Sequence, residues 1–147
     1  MWRLAQAAAP FLLVLLTAAP AQSADQILFV KGRIAEAEYL NGLPATGTNH
    51  GAPFIEGGDY RTKLVITEVL IGQSPKPDLY LTLTITAAPQ GDSHPEIFLL
   101  AKQTLDGQLE PLDWDYAANG VCIGGAMARS YGIEDAIRAI EEKYPCQ

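Results

Sequence analysis

The clearest pattern in the chain is a strict alternation of apolar and polar residues across positions 78–86. Aliphatic side chains fall on one side and a tyrosine and threonines on the other: Leu79, Leu81, Leu83 and Ile85 against Tyr80, Thr82, Thr84 and Thr86. A period of two in these residue types is typical of a half-buried strand. Because parallel strands are covered on both faces and read as continuous apolar runs, the alternation predicts an antiparallel sheet.

Two earlier runs predict further strands. Residues 60–72 are apolar on both faces at their centre, which predicts a strand inside the sheet. Residues 26–39 form a β-rich run interrupted by Gly32, and a glycine in a strand pattern indicates a bulge or a bend. We predict one long, bent strand here, although the alanine and glutamate content of its second half also suits a helix.

A hairpin and a helix are predicted in the last third of the chain. Asp106-Gly107 separates apolar runs at 96–105 and 108–112, which is a strong hairpin signal, and Pro111 places the returning strand at an edge. Residues 133–144 carry one apolar stripe at helical spacing, with acidic residues in the first turn and Lys143 in the last. The stripe consists of Ile133, Ala136, Ile137, Ile140 and Tyr144.

These elements predict a mainly β fold for residues 24–147, taken as a single domain. The expected architecture is a small antiparallel OB-like barrel or a curved sheet, with one C-terminal α-helix. An open α+β sheet is the alternative.

The first 23 residues have the pattern of a secretory signal peptide. Arg3 supplies positive charge, residues 11–16 are all apolar, and small residues follow. We therefore predict cleavage between positions 21 and 24 and a secreted or periplasmic location. A membrane anchor is the alternative, but polar residues and prolines interrupt this stretch, and a spanning helix needs about 20 apolar residues.

Charge excludes some classes of partner. The chain has 10 basic and 17 acidic residues, and a formal net charge of −7. Nucleic-acid affinity comes largely from lysine and arginine contacts to phosphate, so we expect no nucleic-acid partner. The same sign of charge disfavours anionic membrane surfaces, so we expect no membrane association after signal cleavage.

The two cysteines, Cys122 and Cys146, are expected to form a disulfide. An even count in an exported chain favours this pairing, and closing the loop stabilises the fold by about 3.5 kcal/mol in the chain-entropy treatment. The alternative is a catalytic thiol at Cys122, which lies in a glycine-rich run.

Two apolar segments carry a resemblance to a known family. ITEVLIG at 66–72 and FLLAKQTLDG at 98–107, preceded by a bent strand and followed by Cys122, resemble secreted modules of the netrin and tissue-inhibitor-of-metalloprotease type. The resemblance covers residues 27–122 and implies an OB barrel. Those inhibitors chelate the protease metal through an N-terminal Cys-x-Cys, which has no counterpart at residues 22–26, so metalloprotease inhibition is not implied.

Evidence for catalysis is nearly absent from the sequence. His50 and His94 have no second histidine or cysteine nearby, so we expect neither a metal site nor a cofactor. Asp92, Ser93 and His94 are the residue types of a hydrolase triad, but such triads are assembled from separate elements. A small secreted hydrolase using His94 or Cys122 therefore remains an alternative function.

The most suggestive cluster is Asp113-Trp114-Asp115-Tyr116. Its tryptophan and flanking carboxylates suit stacking on a sugar or binding a cationic peptide, whereas the structural alternative is that Trp114 packs over the sheet edge. The glycine-rich loop 41–59, which contains His50 and Phe54, adds candidate ligand-binding residues. The predicted function is an exported, soluble binding module for a protein, peptide or glycan, and an envelope structural or inhibitory subunit is a further alternative.

Overall fold

The computed structural model describes residues 26–42, 58–74, 76–85 and 94–147. The predicted signal peptide, His50, Phe54 and the pair Asp92-Ser93 lie outside the described residues. The strands are β1 (Gln26–Gly42), β2 (Gly58–Ile71), β3 (Asp78–Ile85), β4 (Glu96–Gln103) and β5 (Leu109–Tyr116). A 3-10 turn (Ala117–Asn119) and the helices α1 (Gly125–Ser130) and α2 (Glu134–Lys143) complete the chain.

The five strands form one antiparallel sheet in the order β3-β2-β1-β4-β5. A flat sheet of five strands spaced about 4.8 Å apart would separate its edge strands by about 19 Å. Here Cα atoms of β3 and β5 approach within 8 Å of each other, so the sheet is strongly curved. The prediction of a mainly β, curved antiparallel sheet is confirmed. Of the two forms considered, the sheet is the open one, because it is not closed into a barrel.

The long first strand makes this curvature possible. Residues 26–33 of β1 pair with β4, while residues 29–42 of β1 pair with β2 through several register shifts. At Gly32 a Cβ atom would lie 2.8 Å from the Val65 carbonyl oxygen, so glycine allows the two strands to approach closely at the bend. The predicted bent strand is confirmed, and the helical alternative for its second half is wrong.

The inner, concave face holds the larger core. The alternation in β3 is confirmed, because its leucines and Ile85 are buried while Tyr80 is 62% exposed. Strands β1 to β4 supply its buried side chains: Leu28, Val30, Ile34, Tyr60, Leu64, Leu79, Leu81, Leu83, Ile85, Ile97, Leu99 and Ala101. Strand β5 adds Leu109, Trp114 and Tyr116, which are partly buried against them. Thr62 is buried among them, and its hydroxyl donates to the Leu81 carbonyl oxygen at 2.9 Å.

The helices cover the outer, convex face over β1 and β4, and the cluster that they form there also contacts Leu70 and Ile71 of β2 and Leu112 of β5. Phe29, Phe98 and Leu100 pack there against Ala128 of α1 and Ile137 of α2. The predicted C-terminal helix is confirmed as α2, and α1 is an addition that the sequence analysis did not predict. The predicted position of β2 inside the sheet is confirmed, but its outer face is partly open, with Val65 39% exposed.

A C-terminal latch, residues 119–122 and 144–147, fastens the helical region to the end of β5. The predicted disulfide is confirmed between Cys122 and Cys146, with Cα atoms 5.0 Å apart. Two backbone hydrogen bonds flank it, from Val121 N to Tyr144 O at 2.9 Å and from Gln147 N to Asn119 O at 3.0 Å. Because Cys122 is bonded to Cys146, the alternative of a free catalytic thiol at Cys122 is wrong for this structure.

Candidate functional site

A cleft of about 310 Å³ lies between the two edges of the sheet. One wall is the β3 segment Thr82-Leu83-Thr84, and the other is the β5 segment 111–114. Two of the predicted ligand-binding residues, Asp113 and Trp114, therefore line the same concavity.

The facing edges of β3 and β5 have no strand partner within the described residues. β3 pairs only with β2, and β5 pairs only with β4. No backbone hydrogen bond joins β3 to β5 among residues 26–42, 58–74, 76–85 and 94–147. The walls of the cleft therefore present backbone donors and acceptors as well as side chains.

A bulge in β5 decides which side chains face which way. The pairing with β4 shifts between Leu100 and Ala101, which leaves Leu112 as the extra residue. Trp114 then lies opposite Leu99 and contacts the inner core, while Leu112 contacts the outer core. Bulges commonly redirect side chains in this way. Asp113, opposite Leu100, consequently lies on the outer side of the cleft.

Trp114 combines packing with partial exposure. Its ring meets that of Tyr116 edge-on, with centroids 5.2 Å apart and planes at 89°. Both rings are half-buried against the inner core. Burial, reinforced by the charge of Asp115, raises the pKa of the Tyr116 phenol to about 12. Trp114 thus packs against the sheet, as the structural alternative to a binding role expected. The same residue also borders the cleft.

The two aspartates of the cluster have different surroundings. Partial burial raises the pKa of the Asp113 carboxyl above its usual value, and the neighbouring Asp115 adds to this, while a hydrogen bond from the Trp114 backbone opposes it. Asp115 accepts hydrogen bonds from Asn119 Nδ2 at 2.8 Å and from its neighbour's backbone, Tyr116 N, at 2.7 Å. Asp115 therefore supports the turn after β5, and Asp113 is the carboxylate at the cleft.

The threonines of β3 supply the hydroxyl groups of the opposite wall. Thr84 Oγ1 donates to Asp59 Oδ1 at 2.7 Å, so its hydroxyl is oriented by β2. Thr82, Leu83, Thr84, Pro111 and Leu112 were not predicted as site residues. The alternation of β3 predicts a half-buried strand with polar residues on one face, and no local signal in the sequence places that face opposite β5.

The two basic residues of β2, Arg61 and Lys63, lie on the outer face of the sheet and are paired with acids. Lys63 Nζ lies 3.4 Å from Glu36 Oε1, and Arg61 Nη1 lies 3.4 Å from Glu38 Oε2. Lys63 also lies 3.8 Å from Asp78 Oδ2. None of the seven lining residues is basic, and the only charged one is Asp113.

The alternative catalytic residues do not join this cleft. His94 Nδ1 lies 3.2 Å from the Ile34 carbonyl oxygen, at the start of β4, and His94 is not among the lining residues. In the parts of the chain that the structure describes, no three His, Cys, Asp or Glu residues are grouped as a metal ion would require.

Two further results concern membrane crossing and similarity to known proteins. No helix within the described ranges has the length and apolar character needed to cross a membrane. Comparison of the chain with protein-family models, with curated proteins and with solved structures finds no match.

Proposed function

We propose that this chain is an exported binding module and that the cleft between β3 and β5 is its ligand site. The observation that carries the proposal is the juxtaposition of Trp114 and Asp113 with Thr82 and Thr84 across a concavity of about 310 Å³. Ligand sites are concave surfaces that combine apolar or aromatic area with a few polar groups. The ligand is a peptide, a protein segment or a glycan.

Export is supported by two independent features. The signal-peptide pattern of residues 1–23 directs a chain out of the cytoplasm, and the disulfide between Cys122 and Cys146 is stable in an oxidising compartment. A relation to netrin-like modules rests on the sequence segments 66–72 and 98–107 alone. Without a Cys-x-Cys at residues 22–26, protease inhibition forms no part of the proposal.

Binding is favoured over hydrolysis because neither of the catalytic candidates from the sequence, His94 and Cys122, lines the cleft. A hydrolase needs a nucleophile hydrogen-bonded to a base. Cys122 is bonded to Cys146, and the His94 ring is next to a backbone carbonyl of β1 rather than in the cleft.

A nuclear magnetic resonance titration tests the proposal. The isotopically labelled, disulfide-bonded protein is titrated with two pools: tryptic peptides from proteins of its own compartment, and oligosaccharides released from the cell envelope. We expect saturable shifts at Thr82, Leu83, Thr84 and the Trp114 indole with one of the pools. Trp114→Ala is expected to weaken that binding by at least about tenfold, as for a central aromatic contact.

Two further variants make the result interpretable. Tyr131→Ala removes an aromatic residue that is 37% exposed near the helices, so it is a matched control and its binding should equal wild type. Trp114→Phe retains most of the inner-core packing if Trp114→Ala unfolds. Shifts confined to other surfaces, or unchanged affinity in both Trp114 variants, would contradict the proposal.

A further inference from the structure

Strand direction limits what fills the gap between β3 and β5. All four neighbouring pairs in the sheet are antiparallel, so β3 and β5, at the two ends of five strands, run in the same direction. Direct closure of the sheet would therefore create its one parallel pair, which is slightly less favourable per residue. A sixth strand between them, running the opposite way, would be antiparallel to both edges.

The edges of β3 and β5 must move apart to admit this strand. Hydrogen-bonded neighbours lie about 4.8 Å apart, so an intervening strand needs about 9.6 Å between β3 and β5. The nearest Cα atoms of the two strands are within 8 Å, and the strands are not hydrogen-bonded to each other in the described residues. Where the two edges approach most closely they must separate by at least about 1.6 Å, whereas the cleft of about 310 Å³ is space that is already open.

The inner and outer sides of the cleft favour different side chains in an inserted strand. On the inner side, Leu83 and Trp114 continue the apolar core. On the outer side, Thr82, Thr84 and Asp113 border the opening. Because side chains of a strand alternate between faces, the matching segment has apolar residues at every second position and polar residues between them.

Charge selects the polar residues of that segment. Asp113 is the only charged lining residue, the nearby basic side chains of β2 are paired with Glu36 and Glu38, and the chain as a whole carries a net charge of −7. Acidic segments are repelled by this field, and a lysine or arginine opposite Asp113 forms an ion pair at the rim.

We propose that the cleft binds an extended, basic segment of a partner protein, which inserts antiparallel to both β3 and β5 and completes the sheet. This inference rests on the proposed function and specifies its ligand class. Backbone hydrogen bonds to the two edges supply sequence-independent affinity, and the alternating side chains supply selectivity. The glycan ligand then becomes an outcome that the experiment distinguishes.

The test uses four defined probes with the disulfide-bonded protein. The first is an acetylated, amidated octapeptide that alternates valine and lysine. The second replaces lysine with glutamate, the third carries N-methyl groups on every backbone nitrogen, and the fourth is a tetrasaccharide of N-acetylglucosamine. Affinity is measured by titration calorimetry, and amide hydrogen exchange of residues 79–85 and 110–116 reports pairing at the two edges.

We expect the valine–lysine peptide to bind and to slow exchange of edge amides in both β3 and β5 by about tenfold or more. The glutamate and N-methylated peptides should bind at least about tenfold more weakly, because one loses charge complementarity and the other loses backbone pairing. Asp113→Asn should reduce the difference between the lysine and glutamate peptides to about threefold or less. Thr104→Ala, in the β4–β5 turn, is a control that leaves this difference unchanged.

Four outcomes overturn the inference. Equal binding of the N-methylated peptide would show side-chain docking without strand pairing, and protection of only one edge would show addition to that edge alone. Tetrasaccharide binding in the cleft without peptide binding would agree with the proposed function but would contradict a peptide ligand. If no probe and neither ligand pool shifts the cleft resonances, both the inference and the proposed function fail.

Discussion

The outer face beside α2 and the gap between β3 and β5 are two boundaries of the same sheet, and they differ in how their polar groups are satisfied. Beside α2, Glu68 on β2 lies 2.7 Å from Lys143 Nζ and accepts a hydrogen bond from the Tyr144 hydroxyl at 2.6 Å. At the gap, the edges of β3 and β5 have no strand partner within the described residues, and Asp113 is partly buried without a cation among the lining residues. The outer face beside α2 is therefore stabilised by contacts within the protein. The gap between β3 and β5 has backbone groups and a carboxylate that a ligand can contact.

The carboxyls of Glu68 and Asp113, one at each boundary, have pKa shifts of opposite direction. Hydrogen bonds from Lys143 and Tyr144 lower the pKa of Glu68, so its charged form is favoured in the folded protein. Partial burial raises the pKa of Asp113, so its charged form is disfavoured there. We therefore expect substitutions near the latch and α2 to reduce stability, and substitutions at the cleft to affect binding more than stability.

Removal of the disulfide is the largest expected effect. Replacing both Cys122 and Cys146 with serine frees a loop with a sequence separation of 24, which should lower the free energy of unfolding by about 3.5 kcal/mol. Urea unfolding at pH 7 measures the loss. The affinity of the valine–lysine peptide, measured at a temperature where the variant is folded, should be unchanged. A stability loss below about 1 kcal/mol would contradict the view that the latch stabilises this boundary.

Gly120→Ala tests the contact of the latch itself. Gly120 has φ 76°, and an added Cβ would lie 1.9 Å from the Pro145 carbonyl oxygen, so the tail must move. We expect a loss of about 3 kcal/mol from overlap and left-handed backbone conformation together. Gly107→Ala is the matched control, because Gly107 has φ 80° in the β4–β5 turn and an added Cβ there meets nothing within 4 Å.

The control isolates the packing contribution. Gly107→Ala should cost only about 1 kcal/mol, from the backbone conformation. Urea unfolding of both variants gives the difference between them. Equal losses in the two variants would mean that the tail moves away from Gly120 without cost, which contradicts tight docking of residues 144–147.

Local patterns in the sequence were sufficient for most elements of the sheet. The alternation of β3, the bend at Gly32, the turn at Asp106-Gly107 and the edge position of β5 all depend on periodicity or turn chemistry within a few residues. The helix α2 was predictable from its stripe. The short helix α1 was not, because it begins at Gly125, next to another glycine, and glycine disfavours helices.

Only one wall of the candidate site was predictable from the sequence, because the other wall depends on long-range strand pairing. Asp113 and Trp114 are conspicuous in the sequence, but their opposite wall depends on the strand order, which is set by pairings between distant segments. The bulge at Leu112 also changes which side of β5 each later residue occupies. Strict alternation along β5 therefore gives no account of why Leu112 and Trp114 contact different cores.

Glu68→Gln tests the carboxylate that Lys143 and Tyr144 stabilise. Its expected effect on the free energy of unfolding is smaller than that of Gly120→Ala. The pKa of Glu68 is lowered in the folded state, so its contribution to stability is present above its unfolded pKa and is lost as pH falls through the folded value. We expect a loss of about 0.5–1 kcal/mol at pH 7 that shrinks toward zero near pH 3, because the pair is partly exposed. Urea unfolding at both pH values measures it.

Glu142→Gln, an exposed position on α2, is the matched control for that measurement. It removes the same charge without removing a hydrogen bond to Tyr144. A loss for Glu142→Gln equal to that for Glu68→Gln, or a Glu68→Gln loss that does not change with pH, would show that net charge rather than this contact is responsible.

Asp113→Asn is expected to have the smallest effect on stability, with the opposite sign. Because the folded-state pKa is raised, the folded protein binds the proton more tightly, and stability falls as pH rises from the unfolded pKa through the folded one. The variant should therefore unfold at equal or slightly higher urea concentration than wild type at pH 7, by no more than about 0.5 kcal/mol, with no difference near pH 3.

Asp115→Asn provides the contrast within the same strand. Asp115 accepts hydrogen bonds from Asn119 and from the Tyr116 backbone, so its substitution should reduce stability. If Asp113→Asn weakens the lysine peptide while leaving the protein as stable as wild type or more so, the carboxylate is retained for its ligand at a cost to the fold. A clear loss of stability in Asp113→Asn would instead make Asp113 a structural residue, and the contrast between the two boundaries would disappear.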